Sequence, residues 1–171
     1  FEYEKDSIAG NMINAYKRLL EYNKLNDILK SEKQYRNGVI SVSEFHRRMV
    51  YNSIYDDINM NTFNYINAIF DNLLFRYPTS YEFNECKLMI DDNSTQILMG
   101  ASGNCKYDVT TIICNSDEFY EGLVNWSYIT FLGREANVQE RDELMNNLIT
   151  FNDYQRIQRI ILSSDEYAHF D

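Results

Sequence analysis

Nucleophilic and acid–base side chains are few in this chain, and their spacing forms no catalytic pattern. The candidates for a general base or a thiolate are His46, His169, Cys86, Cys105 and Cys114. Catalysis requires such a group in a tuned setting beside a partner. His169 lies near the C-terminal end, and Cys114 ends an apolar segment, which is typical of a buried small hydrophobe. The sequence therefore predicts no catalytic residue, and we interpret the chain as non-enzymatic.

Metal and cofactor patterns give the same result. The cysteines form no CxxC pair and the histidines lie far from them, which argues against a zinc site. The acidic run that starts at Asp91 suggests calcium, but an EF-hand needs Gly at its sixth position and Glu at its twelfth, which are Gln96 and Ser102 here. The chain has no GxGxxG motif and no P-loop. We expect neither a metal nor a cofactor. A helical enzyme or a small-ligand-binding protein is the third interpretation of the function, after the two given at the end of this section.

Two cysteines leave a structural question open. Cys86 and Cys105 flank the Gly-, Ser- and Asn-rich part of a segment at about 91–108. A bridge between them would close a loop of about 20 residues and indicate an oxidising compartment. Free thiols would instead favour the cytoplasm. We expect a periplasmic or cell-surface location in preference to a cytoplasmic one.

Composition favours helices and argues against several partners. Apolar residues make up 44% of the 171 residues, with one proline and six glycines, too few for the many tight turns of an all-β fold. The formal net charge of −10 repels phosphate backbones and anionic lipid headgroups, so we expect no nucleic-acid partner. No apolar run is long enough for a transmembrane segment. The chain begins with Phe1, so we expect a processed end or a fragment of a longer protein.

The segments that carry the candidate residues are predicted to be helices. Apolar residues recur at helical spacing in the segment 5–32 and in the segments that follow it. The sequence predicts eight helices and no strand. Glutamate follows a capping residue by three positions in three places, which predicts helix starts; the pairs are Ser41 with Glu44, Thr79 with Glu82 and Asn137 with Glu140. Gly133 is placed to end a helix in the left-handed conformation.

The chain also repeats itself. Ser-acid-aromatic boxes end at Phe45, Phe119 and Tyr167, and between them lie two turn boxes, Leu73-Leu74-Phe75-Arg76 and Phe131-Leu132-Gly133-Arg134. Each arginine is followed six residues later by a glutamate, Glu82 or Glu140. We expect Arg76 and Arg134 to pair with a carboxylate at a neighbouring helix start and hold the turn. An exposed contact with a partner is the alternative role.

These boxes carry a resemblance. The segments 40–58, 65–83 and 160–170 resemble the signature of phycobilisome linker domains, with an S-x-x-E-F box, a helix that ends in LLGR-x-P and a closing SDEY box. The segment 116–140 is similar to the related DUF4214 pattern of bacterial surface and secreted proteins. The resemblance covers about 39–170 and departs from the pattern at Phe75, which stands where the turn has Gly. Linker domains that pack on phycobiliproteins tend to be basic, so the resemblance implies a shared fold rather than a phycobilisome partner.

The sequence therefore predicts an all-α fold, roughly an eight-helix bundle built from two related helical units. An N-terminal helix at 1–38 precedes a linker-like domain at 39–171 with an inserted loop at about 91–108. The function expected is a protein–protein interaction or scaffold module that positions other proteins in an assembly. The alternative is an accessory subunit of a bacterial envelope or cell-surface complex.

Overall fold

The computed structural model describes residues 4–5 and 10–169. Within 10–169 the chain forms ten helices and one two-stranded sheet, which confirms the all-α prediction. The helices are α1 Met12–Arg36, α2 Val42–Val50, α3 Ser53–Asn59, α4 Thr62–Leu74, α5 Ser80–Asp91, α6 Lys106–Cys114, α7 Asp117–Leu132, α8 Val138–Phe151, α9 Tyr154–Leu162 and α10 Asp165–Ala168. The strands are β1 Gln96–Leu98 and β2 Ala101–Gly103.

Polar side chains at the helix starts explain why so many short helices form. In nine of these ten helices the residue before the first turn accepts a hydrogen bond from the backbone N–H three positions later. A cap of this kind stabilises a helix by about 1 kcal/mol. Thr79 and Asn137 form complete capping boxes, because Glu82 and Glu140 accept in return from the backbone N–H groups of the caps. Closely spaced caps thus divide the chain into short helices.

Two predicted helices differ from the structure. The first described helix begins at Met12 rather than Lys5 and runs to Arg36; residues 1–3 and 6–9 of the predicted 1–38 helix lie outside the described residues. The helix predicted from Ser41 is two helices, because the Asn52 side chain caps α3 by accepting from the Tyr55 N–H. Asn52 also donates to the backbone oxygens at the end of α2, so it closes one helix and opens the next.

The segment at about 91–108 is partly regular, and the prediction of no strand was wrong there. Strand β1 pairs antiparallel with β2, with Leu98 opposite Ala101. Met99 and Gly100 form the two-residue turn at positive φ of 49° and 83°, the geometry that suits a tight hairpin. Leu98 is fully buried and anchors the hairpin to the core.

One hydrophobic cluster joins the two predicted helical units, the first with the turn at Arg76 and the later one with the turn at Arg134. The fully buried Ile66, Ile69 and Phe70 of α4 belong to the same cluster as Leu148 of α8 and Ile157 of α9. The later unit is therefore not a separate body, and any side chain held by both units is rigidly placed.

Candidate interaction surface

Arg76, the first predicted turn residue, ties three elements together. Its guanidinium follows α4 and donates to both carboxylate oxygens of Glu82 in α5, at 2.9 and 2.7 Å. It also donates through Nε and Nη2 to Glu118 at the start of α7. Nη1 donates to the Tyr77 carbonyl oxygen, and the guanidinium carbon lies 5.3 Å from the Phe70 ring centroid. We call this group of contacts the Arg76 cluster.

The same arrangement recurs after α7. Arg134 donates to both carboxylate oxygens of Glu140 at 2.8 Å and to both of Glu166 at 2.6 Å. Its Nη1 donates to the Glu135 carbonyl oxygen, and its guanidinium lies 5.1 Å from the Tyr128 ring centroid. Each partner therefore has a counterpart in the Arg76 cluster, and we call this second group the Arg134 cluster.

The electrostatics of both clusters favour a structural role. Hydrogen bonds from Arg76 lower the pKa of Glu82 to about 2, and those from Arg134 lower the pKa of Glu140. A guanidinium has five N–H donors, and each of these arginines makes five hydrogen bonds within the chain. Since no donor is left over, the arginines hold the turns rather than offer hydrogen bonds to a partner.

The remaining predicted cap residues divide into two cases. Gly133 adopts a left-handed φ of 65° and ends α7 as expected. Ser41 accepts from the Glu44 N–H at 3.0 Å, but the Glu44 carboxylate is bound by Arg47 and Arg48 of its own helix. The first box therefore lacks the glutamate contact of the two complete capping boxes.

The thiols and the best histidine candidate belong to the packing of the protein. Cys86, Cys105 and Cys114 are free, so the bridge considered between the first two is not formed. Burial raises the pKa values of Cys86 and Cys114 to about 12, which keeps both as unreactive thiols. The His46 ring lies edge-on to Phe119 at 5.2 Å, and burial lowers its pKa. Cys86 and Cys114 are therefore core side chains, whereas Cys105 is partly exposed.

Phe75 is the least expected residue of the fold. It ends α4 in the left-handed conformation at a φ of 58°, where Gly133 stands in the second unit. A non-glycine residue costs roughly 1–2 kcal/mol in this conformation. Its ring stacks on Trp126 with centroids 5.5 Å apart and planes 9° apart. Gly122 makes room, since a Cβ there would lie 2.9 Å from the Phe75 ring.

These residues form one wall of an open groove of about 640 Å³ between the end of α4 and the face of α7. Phe75, Trp126 and Ile129 are 45%, 50% and 46% exposed, so the apolar wall faces solvent. We call this the Phe75–Trp126 groove. Sequence reasoning identifies Phe75 only as a departure from glycine and does not find the groove. The available signal was a bulky ring at a turn position that favours glycine, together with the single tryptophan of the chain.

A second exposed apolar surface lies on the first half of α1. Ile13 and Leu20 are 72% and 42% exposed. Seven-residue spacing places them on the same helix face as Asp27 and Gln34. In the second half of α1 that face docks on α2, because Arg48 donates to the Asp27 carbonyl oxygen at 3.3 Å and to Gln34 Oε1 at 2.6 Å. The apolar face therefore continues beyond the docked part of the helix.

Comparison with family models, curated proteins and solved structures finds no match for this chain. Across the described residues, none of the helices has the length and apolar character needed to cross a membrane. The same residues contain no cluster of three or more side chains suited to binding a metal ion.

Proposed function

We propose that this chain is a non-enzymatic protein-binding module that positions other proteins in an assembly. The observation that carries the proposal is the Phe75–Trp126 groove. A left-handed Phe75, a glycine inside helix α7 and a half-exposed tryptophan occur together at this groove. Phe75 is one of five non-glycine residues with positive φ in the described part of the chain, and its ring lies in an exposed aromatic stack. Exposed aromatic side chains are typical anchors of protein interfaces.

The exposed first half of α1 supports the scaffold form of the proposal. A module that positions other proteins needs at least two contact surfaces, and α1 supplies a second apolar surface on a different helix from the groove. The same exposed face favours the alternative of an accessory subunit held within a larger complex. The repeated arginine clusters support the proposed kinship with the linker-like helical modules, whose turn boxes they occupy.

The test compares capture of proteins from native extract by the wild-type chain and by Trp126→Ala. The matched control is Phe151→Ala, which removes another half-exposed aromatic side chain, 55% exposed, from the later unit. We expect a stoichiometric partner that is lost with Trp126→Ala and kept with Phe151→Ala, both variants having wild-type circular dichroism. Equal capture by all three chains contradicts the proposal, as does a stoichiometric metal, or a hydrolytic turnover that is lost in His46→Ala.

A further inference from the structure

We propose that the Phe75–Trp126 groove binds a segment of a partner protein in which a large apolar side chain is flanked by lysine or arginine. This inference rests on the proposed function and specifies the chemistry of the partner. It is carried by the shape of the groove and by the charge of its rim.

The wall of the groove suits an apolar anchor. The stacked Phe75 and Trp126 rings and the Ile129 side chain present a continuous apolar surface that is about half exposed. Leu73 and Leu74 behind them are buried, and the Leu73 carbonyl oxygen lies 3.6 Å from a Cβ built on Gly122, so the rings are backed by the core. A pre-organised apolar surface of this kind gains affinity by covering aromatic area without ordering new side chains.

The rim of the groove is acidic. Its charged lining residues are Glu118, Glu121 and Glu135, and none of the lysines or arginines that the structure describes lines it. Glu118 is bound by Arg76, and Glu121 accepts from Arg141 at 2.8 Å, so these two carboxylates are partly neutralised from outside the groove. Glu135 is exposed, and no ion pair of its carboxylate occurs within the part of the chain described by the structure. The Glu135 carboxylate is therefore the lining charge that no described cation neutralises before a partner binds.

A polar acceptor lies beside the apolar wall. Asn125 also lines the groove, and its Oδ1 atom is buried without a hydrogen-bond donor among the described residues. A buried acceptor of this kind costs free energy until a donor reaches it. Because that atom is shielded from solvent, a bound segment reaches it only if the Asn125 side chain turns, so the preference for a basic segment rests on the rim.

The negative charge of the chain favours some occupants of the Phe75–Trp126 groove over others. An acidic segment, a nucleic acid and a second copy of this chain all carry negative charge towards a protein of net charge −10. A basic segment is instead attracted, and its association is faster at low salt. The groove therefore fits a basic partner segment best.

The experiment selects a displayed library of short random peptides on the folded chain and measures the enriched peptides by fluorescence anisotropy. We expect the enriched peptides to combine a large apolar residue with lysine or arginine and to bind more weakly at high salt. Trp126→Ala should weaken them about tenfold or more, the scale of an aromatic hot spot, while Phe151→Ala leaves them unchanged. The single tryptophan also reports occupancy directly, through a change in its emission on binding.

The charge arm compares two substitutions that change the net charge equally. Glu135→Lys alters the rim, whereas Asp57→Lys alters an exposed carboxylate on α3. We expect a loss of affinity with Glu135→Lys that is several times larger than with Asp57→Lys. Enrichment of neutral or acidic peptides that still need Trp126 overturns the basic partner and leaves the proposed function standing. An absence of enriched peptides overturns the inference, while partner capture from extract tests the function separately.

Discussion

Replacing Arg76 by methionine tests whether the arginine clusters stabilise the fold. Arg76→Met keeps an unbranched side chain against Phe70 but removes five hydrogen bonds to Tyr77, Glu82 and Glu118. It also leaves two carboxylates near each other without their cation. The Glu82 side chain is 13% exposed and the Arg76 side chain 34%, so the pair lies between a surface and a buried ion pair. We expect the free energy of unfolding at neutral pH to fall by about 2 kcal/mol.

The loss should depend on pH in a definite direction. The pKa of Glu82 is lowered from 4.5 to about 2 by its hydrogen bonds from Arg76. That difference is equivalent to roughly 3 kcal/mol of preference for the ionised form, which solvent screening reduces to about 1–2 kcal/mol. Because the folded pKa is the lower one, this stabilisation is complete above about pH 4.5 and is lost as the pH falls towards 2. Arg76→Met lacks the part supplied by Arg76 and keeps the part supplied by Thr79, which also donates to Glu82. The difference in stability between wild type and variant should therefore narrow over that range.

The assay is urea unfolding followed by circular dichroism across pH 7 to about 2, with two comparison variants. Arg134→Met removes the equivalent cluster, whose carboxylates Glu140 and Glu166 are 27% and 43% exposed. The corresponding carboxylates of the Arg76 cluster are 13% and 36% exposed, so the loss with Arg134→Met should be the smaller one. Arg36→Met breaks only an exposed pair with Glu32 and should change stability by less than about 0.5 kcal/mol. Equal losses for Arg76→Met and Arg36→Met, or a pH-independent difference from wild type, would refute this reasoning.

Further predictions concern the groove and the thiols. Gly122→Ala should displace the Phe75 ring from Trp126, because the added Cβ would lie 2.9 Å from that ring. The fluorescence emission of Trp126 should then shift to longer wavelength. Phe75→Gly should change unfolding free energy by less than about 1 kcal/mol, because relief of left-handed strain offsets lost stacking, yet abolish peptide binding. Thiol titration of the native chain should modify the partly exposed Cys105 first. Cys86 and Cys114 should react only on unfolding, and mass spectrometry of the unreduced protein should show no disulfide.

Local chemistry made much of the fold predictable. The caps at Thr79 and Asn137 and the left-handed Gly133 are set by residues within one turn, and the structure has them where the sequence places them. The hairpin was missed because its strands have three residues each and no alternating pattern long enough to read. The break at Asn52 was missed because the apolar spacing continues across it, although Asn before Ser is itself a cap signal.

Long-range partners were harder to predict, but one spacing contained the information. Arg76 reaches Glu118 across 42 residues, and Arg134 reaches Glu166 across 32. The difference of ten residues falls between Arg76 and Glu118, in the stretch that contains the hairpin. Had the acidic boxes been aligned on that insertion, both second carboxylates would have been assigned from the sequence. The groove needed tertiary information, because Gly122 and Phe75 meet only once α7 lies across the end of α4.

The two arginine turns differ in the side chain that they present to solvent. Both turns place a saturated arginine after a left-handed residue, so both are held by the same contacts. In the second unit that residue is Gly133, which has no side chain to display. In the first it is Phe75, whose ring is 45% exposed and stacked on Trp126 of α7. Since the arginine cluster already fixes the turn, an aromatic residue there adds strain without being needed for the fold. Its presence supports the proposal that the groove binds a partner, because the fold does not need the ring.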